Sequence, residues 1–317
     1  MLVHNGNNSL KRMKSTCGQW EVGDTRELQD SNYFLDNAYV DLFENEVHQP
    51  AETDVKPEPE DKAIDGDEGY ITEVDEPQLE NCASNWKAAA STEKKRMWGV
   101  FDETGIFASA CPHGFVLWLV DMVKSGELCI FLYLSILISL PTSSLGQSTH
   151  YLWYPKAMET LGLHLLIGYD IGCVFGGTIL STSLGAKFQE SSSQMCINMF
   201  HGYSHNYKCQ CKNHLNNITG MGLEDLETLE RVFSSSNVVV AVTQLASAFQ
   251  QRLYIEMHFK HWDEDKYANL ATMLRNNYYQ ALDIIKTDGC AFEEAKRSLG
   301  VTDKDLELWK MEQEEYF

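Results

Sequence analysis

The chain is short of positive charge. Against 46 Asp and Glu it carries 25 Lys and Arg, a formal net charge of −21 over 317 residues. No strong basic stripe runs along it, so a nucleic-acid surface is poorly marked, because acidic chain repels phosphate. Long apolar runs are also missing. A membrane-spanning helix takes about 20 apolar residues, and "LCIFLYLSILISLP", from Leu128 to Pro141, is shorter and closed by proline. No membrane partner is expected. The stretch "MLVHNGNNSLKRMKS" has no apolar h-region of a secretory leader. The nine cysteines are odd in number and irregularly spaced, which does not suit a disulfide framework. They read as core fillers or metal ligands of an intracellular, reduced protein. No internal repeat is present.

What is there divides into unlike parts. The 44% hydrophobic content implies a packed core over most of the length. Between Asp41 and Glu80 stand 15 acidic residues against Lys56 and Lys62, a local net of −13. Residues 1–80 therefore read as a disordered acidic N-terminal arm, with a short helix near "SNYFLDNAYVDLF". Too few large apolar side chains occur there to offset the entropy of ordering. An Ala- and Lys-rich helical stretch, "CASNWKAAASTEKKRMW", opens the ordered part. Two strands follow, over 98–107 and 115–123, joined at a Cys-Pro-His-Gly turn. "LHLLIGYDIGCVF" has the pattern of a buried central strand with an acid at its C-terminal tip. From Gly222 the pattern turns helical: "GLEDLETLERVF" sets Leu223, Leu226, Leu229 and Phe233 on one stripe. Further helices are predicted over 238–264, 266–287, 292–299 and 303–317, the last with an N-cap at Thr302 or Asp303. The fold class is α/β, with a mixed-sheet core over 81–235 and a helical C-terminal region over 236–317.

Acids stand where apolar residues dominate. Asp102 and Glu103 sit in a strand, Asp170 tips "LLIGYD", and Glu224, Asp225, Glu227 and Glu230 decorate one predicted helix. A carboxylate in such surroundings is costly unless paired or bound to a metal. Two strand acids and a helix acid can clamp two Mg²⁺ or Mn²⁺ ions about 4 Å apart for phosphoryl transfer; alternatively they are strand-end caps and ion pairs. On the helical wheel Glu230 lies at the edge of the apolar stripe, Glu227 further round, and Glu224 opposite, toward solvent. "FHGYSHNYKCQCKNH" adds a second cluster, His201, His205, Cys209, Cys211 and His214. These are zinc-ligand chemistries, with Cys111 and His113 as a distant half-site and Cys82 as a third candidate. They are read as a structural zinc site, or as side chains lining the acid site or packed in the core. Cys209 and Cys211 lack the C-x-x-C spacing of a redox dithiol. Lys94, Lys95, Arg96, Lys208 and Lys212 read as DNA contacts or as solvated charges, and Arg231 as a phosphate ligand or a partner of Glu227.

Taken in order, "CASNWKAAASTEKKRMWGVFDETGIFASACPHGFVLWLVDMVKSGEL", "LIGYDIGCVF", "FHGYSHNYKCQCKNH", "GMGLEDLETLERVFSSSN" and "HFKHWDEDKYANLATMLRNNYYQAL" resemble the blocks of the Kyakuja-Dileera-Zisupton transposases, abundant in mushroom-forming fungi. The resemblance runs from about Cys82 to the C-terminus. It implies a ribonuclease H-like fold and cut-and-paste DNA transposition by a DDE carboxylate triad with Mg²⁺ or Mn²⁺. It further implies double-stranded DNA at transposon ends as partner, a homo-oligomer for synapsis, and the nucleus as location. The first acid would be Asp102 in "FDETG", with Glu103 as competitor, and the second Asp170 in "YDIGC". The third would be Glu227 or Glu230, resemblance favouring Glu227 and the helical face Glu230. Leu226 stands where the family usually has a small residue.

Other departures matter too. The family's "CRHG" is here Cys111-Pro112-His113-Gly114, and the cysteine-rich N-terminal zinc segment of many relatives is not found. A truncated or decayed copy is therefore expected beside an active one. A domesticated DNA- or protein-binding module and a plain metal-dependent nuclease of the same fold stand as alternatives. The family's "SGEL" block leads almost directly into "KYP", whereas here 25 residues, Cys129 to Trp153, intervene without a charged side chain. Residues 129–153 are read as an insertion, and specifically as a retained intron. Sequencing of the mature transcript is expected to show messages without these codons; a transcript population that always contains them excludes the intron.

Overall fold

The computed structural model describes residues 1–14, 24–28, 30–41, 100–123 and 153–316. Most of the acidic arm, the stretch from Cys82 to Trp98 with Lys94, Lys95 and Arg96, and residues 129–152 lie outside the described residues. The architecture is mixed α/β. Strands β3 (Phe101–Ala110) and β4 (Val116–Val123) form the antiparallel hairpin expected around the Cys-Pro-His-Gly turn. On its other edge β3 pairs antiparallel with β1 (Leu2–Asn7), Val3 opposite Ala110 and Asn7 opposite Ile106. Further along that edge it meets β2 (Arg12–Met13). β1 then runs parallel to β5 (Leu166–Gly168), and β5 parallel to β6 (Gln194–Cys196). The sheet order is β4-β3-β1-β5-β6, with β2 extending the line of β1.

Residues 1–14, read from sequence as part of a disordered arm, thus hold the middle of the sheet. The expectation fails there because β1 has only two aliphatic residues, Leu2 and Val3, followed by polar ones that are buried as well. Most of their buried polar groups have partners, as burial favours, although His4 Nε2 has none among the described residues. His4 Nδ1 lies 2.7 Å from Ser109 Oγ, and its ring stacks on Trp153 at 3.5 Å between centroids. Asn7 Nδ2 donates to Ser236 Oγ at 3.2 Å. The short helix expected nearby is α1 (Asn37–Asp41).

Strand alternation sends neighbouring residues to opposite faces. Leu2, Phe107 and Val120 face one core with α2 (Trp153–Leu161), α3 (Gly172–Leu180) and α4 (Gly185–Glu190). Trp153, the last residue of the expected insertion, is buried there at the start of α2. Val3, Ile106, Ala108 and Leu119 face a second core, covered by α7 (Thr228–Ser236) and the first turns of α9 (Ala248–Leu299). Two short helices, α5 (Met199–Gly202) and α6 (Tyr207–Asn213), follow β6, and α8 (Val240–Thr243) precedes α9.

The C-terminal part is helical, but less divided than the pattern predicts. Three of the expected segments fuse into α9, 52 residues long. No proline interrupts it, and Gly289 in its interior costs only about 1 kcal/mol relative to alanine without breaking the hydrogen-bond ladder. Ser247 Oγ accepts from Gln250 N at its start, and Gly300, at φ 65°, ends it. α10 (Asp303–Tyr316) starts at the expected cap, where Thr302 and Asp305 exchange hydrogen bonds. Only Gln251, Ile255 and Phe259 of α9 are buried. Among the described residues no helix is long and apolar enough to cross a membrane.

One ion pair pins α9 to the sheet. Arg252 Nε lies 2.6 Å from Oδ2 of the buried Asp121 on β4. Burial pushes the Asp121 carboxyl up, and Arg252 opposes that shift. Removing one partner of a buried pair leaves an uncompensated charge, so Arg252→Met is expected to cost about 3–5 kcal/mol at neutral pH. The loss should shrink in acid, where Asp121 takes up a proton; urea unfolding at pH 7 and pH 4 checks both.

Candidate active site

β5 ends at Gly168, and the chain turns at once: Tyr169 N donates to Cys196 O and Gly172 N to Tyr169 O. This leaves Asp170 at the C-terminal edge of the sheet, on the turn into α3. The side-chain-free Gly168 lets another segment close over β5, because a Cβ there would lie 2.5 Å from Leu226 Cδ1. Leu226 itself has φ 55° and is fully buried.

That conformation corrects the helix expected from Gly222. The acids bond to their own backbone instead: Glu224 Oε1 accepts from Leu226 N, and Asp225 Oδ1 from Glu227 N. Such local bonds compete with the helical ladder, and α7 begins only at Thr228. Leu223 is consequently exposed rather than part of the stripe. Glu227 comes from the turn and Glu230 from the first turn of α7, so the two acids reach the same place by different routes.

Around Asp170 five side chains gather. Asn198 Nδ2 donates to Asp170 Oδ1 at 2.9 Å. His201 Nδ1, from α5, lies 3.2 Å from the same oxygen and 4.0 Å from Glu227 Oε1. Glu227 Oε1 also accepts from Phe200 N at 2.9 Å. From β1, Asn5 Nδ2 donates to Glu230 Oε1 at 2.8 Å and also hydrogen-bonds Asp170. Burial pushes the Asp170 carboxyl up to about 6; Glu230 and Glu227 push the same way, while His201 and the Asn5 hydrogen bond oppose them. Burial raises Glu227 as well, against the pull of the Phe200 N–H and His201.

Asp102 and Glu103 are elsewhere. Asn5 is opposite Ala108, and at about 3.3 Å per strand residue Asp102 is roughly 20 Å further along β3. Both acids meet Arg12: Asp102 Oδ2 lies 3.2 Å from Arg12 Nη2, and Glu103 Oε1 accepts from Nη2 at 2.9 Å. Arg231 pairs with Asp225 through both carboxylate oxygens, at 2.9 and 3.1 Å.

The Cys/His cluster also divides. The expected single helical face is broken, because α5 ends at Gly202 and α6 begins at Tyr207. His201 goes to the acids. His205 and Cys209 meet Cys173 of α3, and these three could hold a metal ion such as zinc, with all ligand atoms within 4.8 Å of one another. Cys211, two residues from Cys209 on α6, points to another side of the helix. His214 caps the following turn, its Nδ1 accepting from Asn216 N. Cys111 and His113 stay at the β3–β4 turn, whose Pro112 O accepts from Thr228 Oγ1. Cys82 lies outside the described residues. Sequence reading missed Asn5, Asn198 and Cys173. The Cys173 signal was present: it follows Asp170 by three residues, at the start of the helix leaving the strand.

A family model described as Kyakuja-Dileera-Zisupton transposase matches residues 1–263. The match takes in β1 and ends at Asp263 of α9, which accepts from Val116 N and from the Tyr33 hydroxyl. No curated protein and no solved structure matches the chain.

The raised Asp170 has a thermodynamic signature. A carboxyl whose folded-state pKa is raised contributes stability while protonated; that contribution is complete below the unfolded value of about 4 and is lost as pH rises through about 6. Across that window wild type is expected to lose about 3 kcal/mol relative to Asp170→Asn. Urea-unfolding curves of both proteins from pH 4 to pH 7 measure the difference; parallel pH profiles would exclude a raised Asp170.

Proposed function

The chain belongs to the Kyakuja-Dileera-Zisupton transposases, and from that premise we propose a protein that cuts and joins DNA strands with Asp170, Glu227 and Glu230 as its acids. Membership supports a transposase-like function and implies DNA binding. The sheet supports a ribonuclease H-like reading of the core: an antiparallel β4-β3-β1 unit continues into parallel β5 and β6. The observation that carries the proposal is the convergence of three carboxyls from the β5 tip, the 222–227 turn and α7.

These residues fit a hard divalent cation. Mg²⁺ and Mn²⁺ favour carboxylate oxygens. Asp170 is crowded by two other acids, and among the described residues none of the three pairs with Lys or Arg. Asp170, Glu227 and Glu230 would hold the ions, which when bound supply positive charge to phosphate oxygens and favour ionisation of the attacking water or 3′-hydroxyl. The protein's own groups orient the acids. Asn198 fixes one oxygen of Asp170, and the Phe200 N–H fixes one of Glu227. His201 Nδ1, between these two acids, is placed to hold a proton during strand transfer. Such a substrate puts the protein in the nucleus, and joining two DNA ends calls for more than one copy.

A second reading, a catalytically decayed DNA-binding member, has its own observation. The side chain on central strand β1 that meets both Asp170 and Glu230 is an amide, Asn5. Asn5 supplies no negative charge where a second strand carboxylate, beside Asp170, would add to the donor set. With Mn²⁺ and a duplex bearing a transposon end, wild type is expected to nick or join DNA, and Asp170→Asn to abolish this. Asn5→Asp is expected to raise the rate about tenfold or more by adding a metal ligand. DNA binding with no cleavage by wild type, restored by Asn5→Asp, selects the decayed reading. No cleavage by either protein overturns the catalytic assignment.

A further inference from the structure

We propose that Cys173, His205 and Cys209 form a zinc-class metal site that anchors the turn carrying Asp170. The three ligands come from α3, from the residue before the cap of α6, and from α6 itself. Cys173 Sγ lies 3.5 Å and Cys209 Sγ 3.6 Å from His205 Nδ1. In a tetrahedral site with Zn–S near 2.3 Å and Zn–N near 2.05 Å, the S···N edge is about 3.5 Å. The observed spacing therefore matches a metal-bound set with little movement. His205 and Cys209 are buried, and Cys173 is partly buried.

The surroundings are those of a ligand group. His205 Nε2 lies 2.9 Å from the main-chain oxygen of Asp170. A proton on Nε2 leaves the Nδ1 lone pair aimed at the two sulfurs, the outer hydrogen bond that metal-binding histidines commonly make. Asn206 Oδ1 accepts from Cys209 N at 2.9 Å and sets the start of α6. Asn213 Nδ2 lies 3.5 Å from Cys209 Sγ, a donor suited to a thiolate. The Cys209 thiol is drawn down to about 4, first by the Cys173 side chain and then by His205 and Asn213, against the effect of burial. Sulfur and imidazole select zinc-class ions, whereas the neighbouring carboxylates select Mg²⁺ or Mn²⁺, so the two sites take different metals. Three protein ligands leave a fourth position for water or an incoming group.

The metal assignment stands apart from the catalytic reading; only its consequence for Asp170 rests on that reading. Full-length protein purified with zinc is expected to carry about one zinc per chain by mass spectrometry of the metal. Cys173→Ser and Cys209→Ser should carry almost none, with circular dichroism reporting whether they fold. Asp170→Asn should keep its zinc, because His205 meets the backbone and not the carboxylate. Cobalt exchange into wild type should give thiolate-to-metal charge-transfer bands, a readout that needs no variant. Metal-free wild type that takes up no cobalt, or a Cys173–Cys209 disulfide under non-reducing mass spectrometry, overturns the site. Stripping zinc with a zinc-selective chelator should speed amide exchange at residues 170–173 roughly tenfold. Unchanged exchange in the stripped protein overturns the anchoring role.

Discussion

Asp170 is held where the backbone leaves β5, in a pocket that leaves its side chain only partly exposed, and a negative charge there is expensive unless dipoles or a cation offset it. The local structure can be read as a response to that cost. Asn198 donates to one carboxyl oxygen, Asn5 reaches across from β1, and His201 stands within ion-pair range. The same crowding brings Glu227 and Glu230 close, which adds repulsion to desolvation. A protein built only for stability would avoid such an arrangement; a protein that must hold positive charge or phosphate chemistry can use it.

The sheet makes this pocket by geometry more than by local sequence. β1 and β5 run parallel, and residues near their C-terminal ends meet beside the turn at Leu226. Gly168 removes the side chain that would keep that turn away. His205 then links the pocket to the sulfur group through the Asp170 carbonyl, so side chains of α3, α6 and β5's outgoing turn share one small volume.

Much of this was legible in the sequence wherever apolar runs were continuous. The β3–β4 hairpin and the buried strand before Asp170 announce themselves by runs of large apolar residues flanked by turn formers. β1 did not, because "HNGN" looks like loop until its partners on β3, α2 and α7 are known. Asp102 looked like a buried strand acid, and only the fold shows Arg12 beside it. The helical wheel treated Glu227 and Glu230 as one helix, since no periodicity can report that Glu224 and Asp225 spend their carboxylates on neighbouring amides. The spacing of His201, His205 and Cys209 suggested a shared face, but the chain breaks between α5 and α6. Cys173 joins from a segment some thirty residues earlier. Non-local contacts of this kind are what periodicity and spacing leave out.

The central position of β1 also bears on how fast the chain can fold. Val3 pairs with Ala110 and Leu2 with Ile167, so the sheet's middle is assembled entirely from segments far apart in sequence. Loop-closure entropy must be spent before those ladders return any energy, and topologies of this sort fold slowly. Until β1 is inserted, β3 and β5 present open edges to one another and to other chains. The six residues that look least structured in the sequence therefore act as the keystone, and dilution or a chaperone would favour their placement over association between chains.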